Sequence, residues 1–265
     1  MRLRTHIDCV DQQKIRDFSD WILKISEGKI NEPNDGEADI ELPPEILLQT
    51  DGNAIDTLVN STYPSILDHL GDGNFFSSKA ILAPTNEEVD SINEHILTFI
   101  DDEERVYYSS DSLTLDEEND TWAQQVYSPE VLNGLKVPGV PNHKLTLKRG
   151  VPIMLLRNMD QSKGLYNGTT LIVERMGDHT IEARIITDHF FGNLTYIARM
   201  VIAPTDRKIA VKFQRRQFPV AVYFAMTINE CQGQSLSNVG LYLRKPIFSH
   251  GQLYVAVSPV TTKQA

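Results

Sequence analysis

Cysteine is scarce in this 265-residue chain, which holds Cys9 and Cys231 alone. Two cysteines exclude a disulfide framework and leave no cysteine-rich set for a structural zinc. Long apolar runs are also missing. The longest, Val220 to Met226, is far short of the about 20 residues needed to cross a bilayer. The seven histidines are scattered, with no H-E-x-x-H and no Cys–His pairing, so metal and nucleophile enzymes have little support. Met1-Arg2-Leu3-Arg4 leads into no apolar core, which argues against a secretory signal and predicts an intracellular protein. The N-x-S/T triplets at Asn60, Asn119, Asn167 and Asn193 then read as chance matches. The abrupt Arg2-Leu3-Arg4 start, without cap or lead-in strand, reads as the beginning of a fragment.

What is present is an ordinary globular composition, 41% hydrophobic with 13 prolines and 15 glycines. It suits one large domain or two modest ones. The net charge of −11 is unevenly spread. Residues 1–141 hold 9 Lys and Arg against 29 Asp and Glu, a balance of −20. Residues 142–216 hold 13 against 6, or +7, and residues 217–265 hold 3 against 1, or +2. A basic middle behind an acidic leader suggests a polyanion partner for the former; charge that serves only solubility is the alternative.

Residues 12–27 predict a helix, with Ile15, Phe18, Ile22 and Ile25 on one face and Gly28 as its stop. Residues 28–44 are an acidic loop rich in Pro and Gly, and 54–70 holds a second helical patch. Lys79 to Ala83 is a short strand that runs into A-P-T-N-E-E-V-D-S-I-N. Thr85 with Glu88 three residues on forms a capping box, and Val89, Ile92, Ile96 and Ile100 give the helix its buried face. Free N–H groups beside Thr85 and Asn86 could hold a phosphate, or the box could be a cap with no ligand. From Asp101 to Asp120 nine acids face one Arg, predicting a solvated loop beside a strand at 105–109.

From Leu145 the pattern turns to short strands, at 145–149, 151–157, 170–176, 180–187, 194–203 and 209–213, with Asn167-Gly168 as a hairpin signal. Such spacing predicts a small barrel of the SH3 type. The run R-K-I-A-V-K-F-Q-R-R, Arg207 to Arg216, interleaves Phe213 with five basic residues. That pattern suits a nucleic-acid backbone, with a charged edge strand as the alternative.

The stretch F-P-V-A-V-Y-F-A-M-T-I-N-E-C-Q-G-Q-S-L-S-N-V-G-L-Y-L, Phe218 to Leu243, organises the rest. Val220 to Met226 predicts a strand buried on both faces. A polar turn follows at Thr227 to Ser235, then a strand at Val239 to Leu243. Strand, polar turn, strand is how a parallel α/β sheet presents a ligand-facing loop; a buried strand with an ordinary Gly-Gln turn is the alternative. Ser249 to Ser258 predicts a closing helix.

These stretches are similar, in order and spacing, to the C-terminal part of Pif-type eukaryotic DNA helicases of superfamily one, above all the plant form related to Helitron transposon helicases. Arg2-Leu3 resembles the tail of the family's N-M-R-L motif, and A-P-T-N-E-E-V-D-S-I-N at 83–93 resembles motif IVa. H-K-L-T-L-K-R-G-V-P-I-M-L-L-R-N at 143–158, with L-Y-N-G-T at 165–169, resembles the SH3-like insert called 2B. T-I-N-E-C-Q-G-Q-S at 227–235 resembles motif V, and G-Q-L-Y-V-A-V-S at 251–258 the lead-in to motif VI.

The resemblance implies an α/β fold: a RecA-like parallel-sheet domain of the P-loop NTPase type, the second motor domain, with an inserted small SH3-like β-barrel. The motor domain would comprise residues 1–102 and 217–265, and the acidic loop and insert residues 103–216. It implies the C-terminal portion of an ATP-dependent 5′-to-3′ DNA helicase acting in repair, recombination and telomere maintenance, in the nucleus or mitochondrion. Arg2 matches the arginine that reaches the phosphates. Gln232 and Gly233 match ATP-facing positions, and Thr85, Asn86, Thr227, Asn229 and Gln234 match DNA-facing ones. Lys212, Arg215 and Arg216 join the DNA set from the basic run. ATP and Mg²⁺ would be bound mainly by a first RecA-like domain, itself a partner alongside single-stranded DNA, with no membrane involved.

Departures qualify the match. No G-x-x-x-x-G-K-[ST] occurs in these residues, so this chain alone is expected not to hydrolyse ATP. Motif V in the family usually reads T-I-N-K-S-Q-G-Q, where this chain has Glu230 and Cys231. Motif VI usually reads A-L-S-R-V, where it has Pro259. A γ-phosphate arginine is worth on the order of 10³-fold or more in rate. A degenerate, non-catalytic nucleic-acid-binding or partner-binding module is therefore the second reading.

Overall fold

The computed structural model describes residues 9–27, 40, 42–50, 52–114, 127–204, 212–234, 236–244 and 250–260. Arg2, most of the 28–44 loop, the end of the 101–120 acidic run, and Arg207 and Lys208 lie outside them. In chain order the elements are α1 (Cys9–Ser26), α2 (Ala54–Thr62), α3 (Gly73–Ser77), β1 (Lys79–Ala83), α4 (Asn86–Phe99), β2 (Arg105–Tyr108), β3 (Ser110–Leu113) and α5 (Pro129–Gly134). Then come β4 (Lys144–Leu147), β5 (Pro152–Leu155), β6 (Thr170–Met176), β7 (Thr180–Ile185), β8 (Leu194–Ala198), β9 (Met200–Ile202) and β10 (Phe213–Gln217). The last are β11 (Val220–Val222), β12 (Ala225–Thr227), β13 (Asn238–Leu241) and α6 (His250–Val257). The chain folds as two compact units, one from residues 1–68, 78–96 and 224–265, the other from 69–77 and 97–223.

The first unit is a parallel sheet in the order β12-β1-β13. The central strand β1 reads K-A-I-L-A and is buried from Ala80 onward, as a strand covered on both faces must be. Leu58 and Val59 of α2 and Ile92 and Ile96 of α4 are buried, as the 3.6-residue period requires. Gly240 of β13 marks where α2 comes closest: a Cβ there would collide with the Thr62 hydroxyl and meet Leu58 Cδ1 at 2.9 Å. Phe18 and Ile22 of α1 form a further cluster with Val260, against which Tyr254 and Val257 of α6 pack.

The apolar run Val220–Met226 is not one strand. β11 pairs antiparallel with β5 in the second unit, whereas β12 pairs parallel with β1 in the first. The chain changes sheet at Tyr223-Phe224, and the first unit holds the backbone there with side chains. Asn93 Oδ1 accepts from the N–H of Phe224 (3.1 Å) and Ala225 (2.9 Å), and its Nδ2 donates to the Ala225 carbonyl (3.2 Å). The Tyr63 hydroxyl donates to the Phe224 carbonyl at 2.7 Å. The Asn93 bonds satisfy backbone N–H groups where the chain changes sheet, while the Phe224 carbonyl also accepts from the Ile81 N–H of β1 at 3.0 Å.

The second unit is β-rich, with an antiparallel sheet in the order β11-β5-β6-β7-β8 and smaller sheets β3-β10-β9 and β2-β4. Leu145, Leu147, Ile153, Leu171, Ile181 and Ile197 belong to its main core. The predicted strands are met with small shifts, and 194–203 breaks into β8 and β9. The predicted 209–213 strand differs most: the strand is Phe213–Gln217, with 205–211 outside the described residues. The Asn167-Gly168 turn, with Gly168 at φ 92, sits within a longer connection from β5 to β6 rather than in a two-residue hairpin.

Candidate functional site

Parallel strands place their carboxyl ends at one edge, where α/β sheets take ligands. β1 and β12 are neighbours in register, with Ala83 opposite Thr227, and the Ile228 N–H donates to the Ala83 carbonyl at 3.0 Å. Each strand leads there into the sequence Thr-x-x-Glu. After β1, the Glu88 N–H donates to Thr85 Oγ1 (3.3 Å) and the Thr85 hydroxyl to the Glu88 carboxylate (3.1 Å). After β12, the Glu230 N–H donates to Thr227 Oγ1 (3.4 Å), and the Thr227 N–H donates to the Glu230 carboxylate (2.9 Å). The second pairing is a reciprocal capping box. Glu230 thus has a structural role in shaping the turn, which the charge comparison with a lysine did not reveal.

The turn is fastened from below. Cys231 is fully buried, with its thiol donating to the Ile228 carbonyl at 3.0 Å and lying 3.7 Å from the Val255 carbonyl of α6. Burial pushes this thiol up to about 11, so it stays protonated and unreactive near neutrality. Gly233 adopts φ +86, a left-handed conformation that glycine takes without Cβ strain. Pro259 is buried, and its carbonyl accepts from the Leu236 N–H at 3.2 Å.

The first unit therefore brings Thr85, Asn86, Thr227, Asn229, Gln232, Gly233 and Gln234 to one sheet edge. Thr85, Asn86, Asn229, Gln232 and Gly233 are exposed, and Thr227 and Gln234 half-buried. The edge offers hydroxyls, amides and backbone N–H groups, together with the carboxylates of Glu88 and Glu230. Among the described residues no group of three His, Cys, Asp or Glu could hold a metal ion. This edge can bind and orient, but its described side chains include no paired nucleophile and base. Arg2 lies outside the described residues.

The basic run falls in the second unit, and the structure corrects one member of it. Arg215 is fully buried, not DNA-facing. Its Nε donates to Asp111 (3.0 Å), its Nη2 to Asp111 (2.7 Å) and the Leu132 carbonyl (2.7 Å), and its Nη1 to the Leu135 and Pro141 carbonyls (3.1 and 3.0 Å). All five guanidinium donors are used inside the fold. Lys212 and Arg216 are exposed. Period-2 alternation along β10 was the available signal: Phe213, Arg215 and Gln217 share the buried face.

Comparison with known proteins gives likenesses of sequence and of fold. Residues 130–176 match the family model described as DNA helicase Pif1, 2B domain. The chain is 32% identical over 122 residues to the ATP-dependent DNA helicase PIF1 of Xenopus laevis, covering 44% of this chain and 18% of that protein. It is 29% identical over 140 residues to the human ATP-dependent DNA helicase PIF1, covering 52% and 21%. Its alignments thus span about a fifth of those relatives. Among solved structures, the Pif1 helicase from Candida albicans superposes with a TM-score of 0.58 at 22% identity, over 94% of this chain and 52% of that one. Bacteroides Pif1 bound to ssDNA gives 0.51 at 23% identity, over 84% and 48%. This chain accordingly has the fold of about half a Pif1 helicase and, in residues 130–176, a segment that matches the Pif1 2B domain.

Proposed function

We propose that the chain is the C-terminal portion of an ATP-dependent 5′-to-3′ DNA helicase of the Pif type, in its plant, Helitron-related form. The first unit acts as a RecA-like second motor domain, and residues 103–216 as the acidic loop and SH3-like 2B insert. The observation that carries the reading is the pair of Thr-x-x-Glu loops at the carboxyl edge of adjacent parallel strands, which coincide with motifs IVa and V. Thr85, Asn86, Thr227, Asn229 and Gln234 contact single-stranded DNA there, and Lys212 and Arg216 contact it from the second unit.

ATP with Mg²⁺ supplies the phosphoryl-transfer chemistry. The fit of this chain to the nucleotide is that of half a cleft. Exposed Gln232, the open backbone at Gly233 and Arg2 face the nucleotide, while a phosphate loop, absent from these 265 residues, comes from a first RecA-like domain. The chain alone does not hydrolyse ATP. Its place of action is the nucleus or mitochondrion.

A second reading is favoured by Glu230 and Pro259: a degenerate module that binds nucleic acid or a partner without turnover. Joining this chain to a family-typical first motor domain and measuring DNA-stimulated ATP hydrolysis separates the two. Turnover by the native joined protein, with none from this chain alone, is expected. Turnover that appears only with Glu230→Lys and Pro259→Arg establishes the degenerate module. No turnover in either form refutes the helicase reading.

A further inference from the structure

Residues 107–114 alternate without interruption: Tyr107, Ser109, Asp111 and Leu113 turn inward, while Tyr108, Ser110, Ser112 and Thr114 are exposed. The inward set carries the acid, since Asp111 is consumed by Arg215 at 2.7 Å and by the Ser109 hydroxyl at 2.6 Å. The outward set gathers neighbours of one character. Lys144 of β4 stands opposite Tyr108, Arg216 and Gln214 of β10 stand opposite Ser110 and Ser112, and Val201 of β9 stands opposite Arg216. Lys144 and Arg216 are exposed, Tyr108 is 58% exposed and Val201 57%.

Among the described residues of these strands, no carboxylate stands at those outward positions, and neither Lys144 nor Arg216 has an ion-pair partner. In a chain of net charge −11, an acid-free face with two cations is a local departure. The Tyr108 ring is also supported. His143 lies beside it at 5.5 Å between ring centroids, and Arg199 Nη1 donates to the Tyr108 carbonyl at 2.7 Å. Tyr108 and Ser110, two strand residues apart, are separated by about 7 Å, comparable to one nucleotide step of an extended single strand.

We infer that this face, centred on Tyr108 with Lys144 and Arg216, is a single-stranded nucleic-acid platform: a base stacks on Tyr108 while its flanking phosphates meet the two cations. The inference rests on the nucleic-acid reading above and adds Tyr108 and Lys144 to it. A stacked aromatic and a pair of backbone cations are what sequence-independent single-strand binding uses, and exposed hydroxyls at Ser110 and Ser112 add phosphate donors.

The test is fluorescence anisotropy of labelled oligothymidylate with the full chain across a salt series, with circular dichroism as the folding control. Tyr108→Ala is expected to weaken binding roughly 5- to 150-fold, the range of one stacked base, and Tyr108→Phe to retain native affinity. Lys144→Gln with Arg216→Gln is expected to flatten the salt slope by about 1.4, two single-strand phosphate contacts. Binding that ignores these changes but is lost in Thr85→Ala with Asn86→Ala overturns this inference and leaves the proposed function standing. A native chain that binds no oligothymidylate at any salt overturns both. Polyglutamate that competes with the same dependence on Tyr108 shows an acidic-peptide surface and overturns the nucleic-acid assignment.

Discussion

Arg215 and Asp111 form a fully buried, bidentate ion pair, with the carboxylate at 3.0 and 2.7 Å from Nε and Nη2 and both side chains at 0–1% exposure. The same guanidinium caps the carbonyls of Leu132 and Leu135 at the end of α5. It therefore ties β3, β10 and α5 into one assembly. Removing one partner of such a pair leaves an uncompensated buried charge, whereas removing both need not. Asp111→Ala is expected to lower stability by about 3–5 kcal/mol, with the double variant Asp111→Leu, Arg215→Met closer to the native chain. Urea unfolding of the three proteins checks this.

Glu230 shapes the turn after β12 and also places a negative charge at the sheet edge. Substituting Glu230→Lys removes the acceptor for the Thr227 N–H at 2.9 Å and reverses the charge. Loss of such a cap costs about 0.5–2 kcal/mol, while a cation should tighten binding to a polyanion. Lower thermal stability with tighter oligothymidylate binding is the expected combination. A gain in both shows that the capping bond contributes nothing to the turn.

Cys231 makes stability sensitive to alkaline pH. Burial raises its thiol from an ordinary value of 9.0 to about 11. Between those values the unfolded chain has released the proton and the folded one retains it, so stability falls as pH rises from 9 toward 11. Cys231→Ala should remove this part of the alkaline slope. In the native protein the thiol should resist alkylation at neutral pH until denaturant is added.

Gly240 lies where α2 packs on β13, and the added methyl of Gly240→Ala would meet Thr62 and Leu58. Overpacking of this kind costs about 1–3 kcal/mol. The companion change Thr62→Ser with Gly240→Ala keeps the clashing hydroxyl and is expected to recover little, whereas Thr62→Gly with Gly240→Ala relieves the contact at the expense of helix propensity. Thermal denaturation distinguishes the two.

The amino-acid sequence by itself determined the elements whose causes are local. β1, the Thr85–Glu88 cap and the buried face of α4 follow from spacing within a few residues, and the structure shows them at the predicted places. The polar turn after β12 was legible as a turn for the same reason, but the Thr227–Glu230 pairing inside it was not, because Glu230 read only as a reversed charge.

Tertiary structure decided what depends on distant partners. Whether Val220–Met226 formed one strand or two rested on β5 in one unit and β1 in the other, and on Asn93, more than a hundred residues earlier in the chain. Whether Arg215 faced solvent rested on Asp111, 104 residues away. A basic residue in a short strand points inward or outward by register, and register is set by the pairing strands rather than by the residue's own charge. The same register turns Tyr108, Lys144 and Arg216 outward together, a grouping that only the pairing of β2 with β4 and β3 with β10 creates.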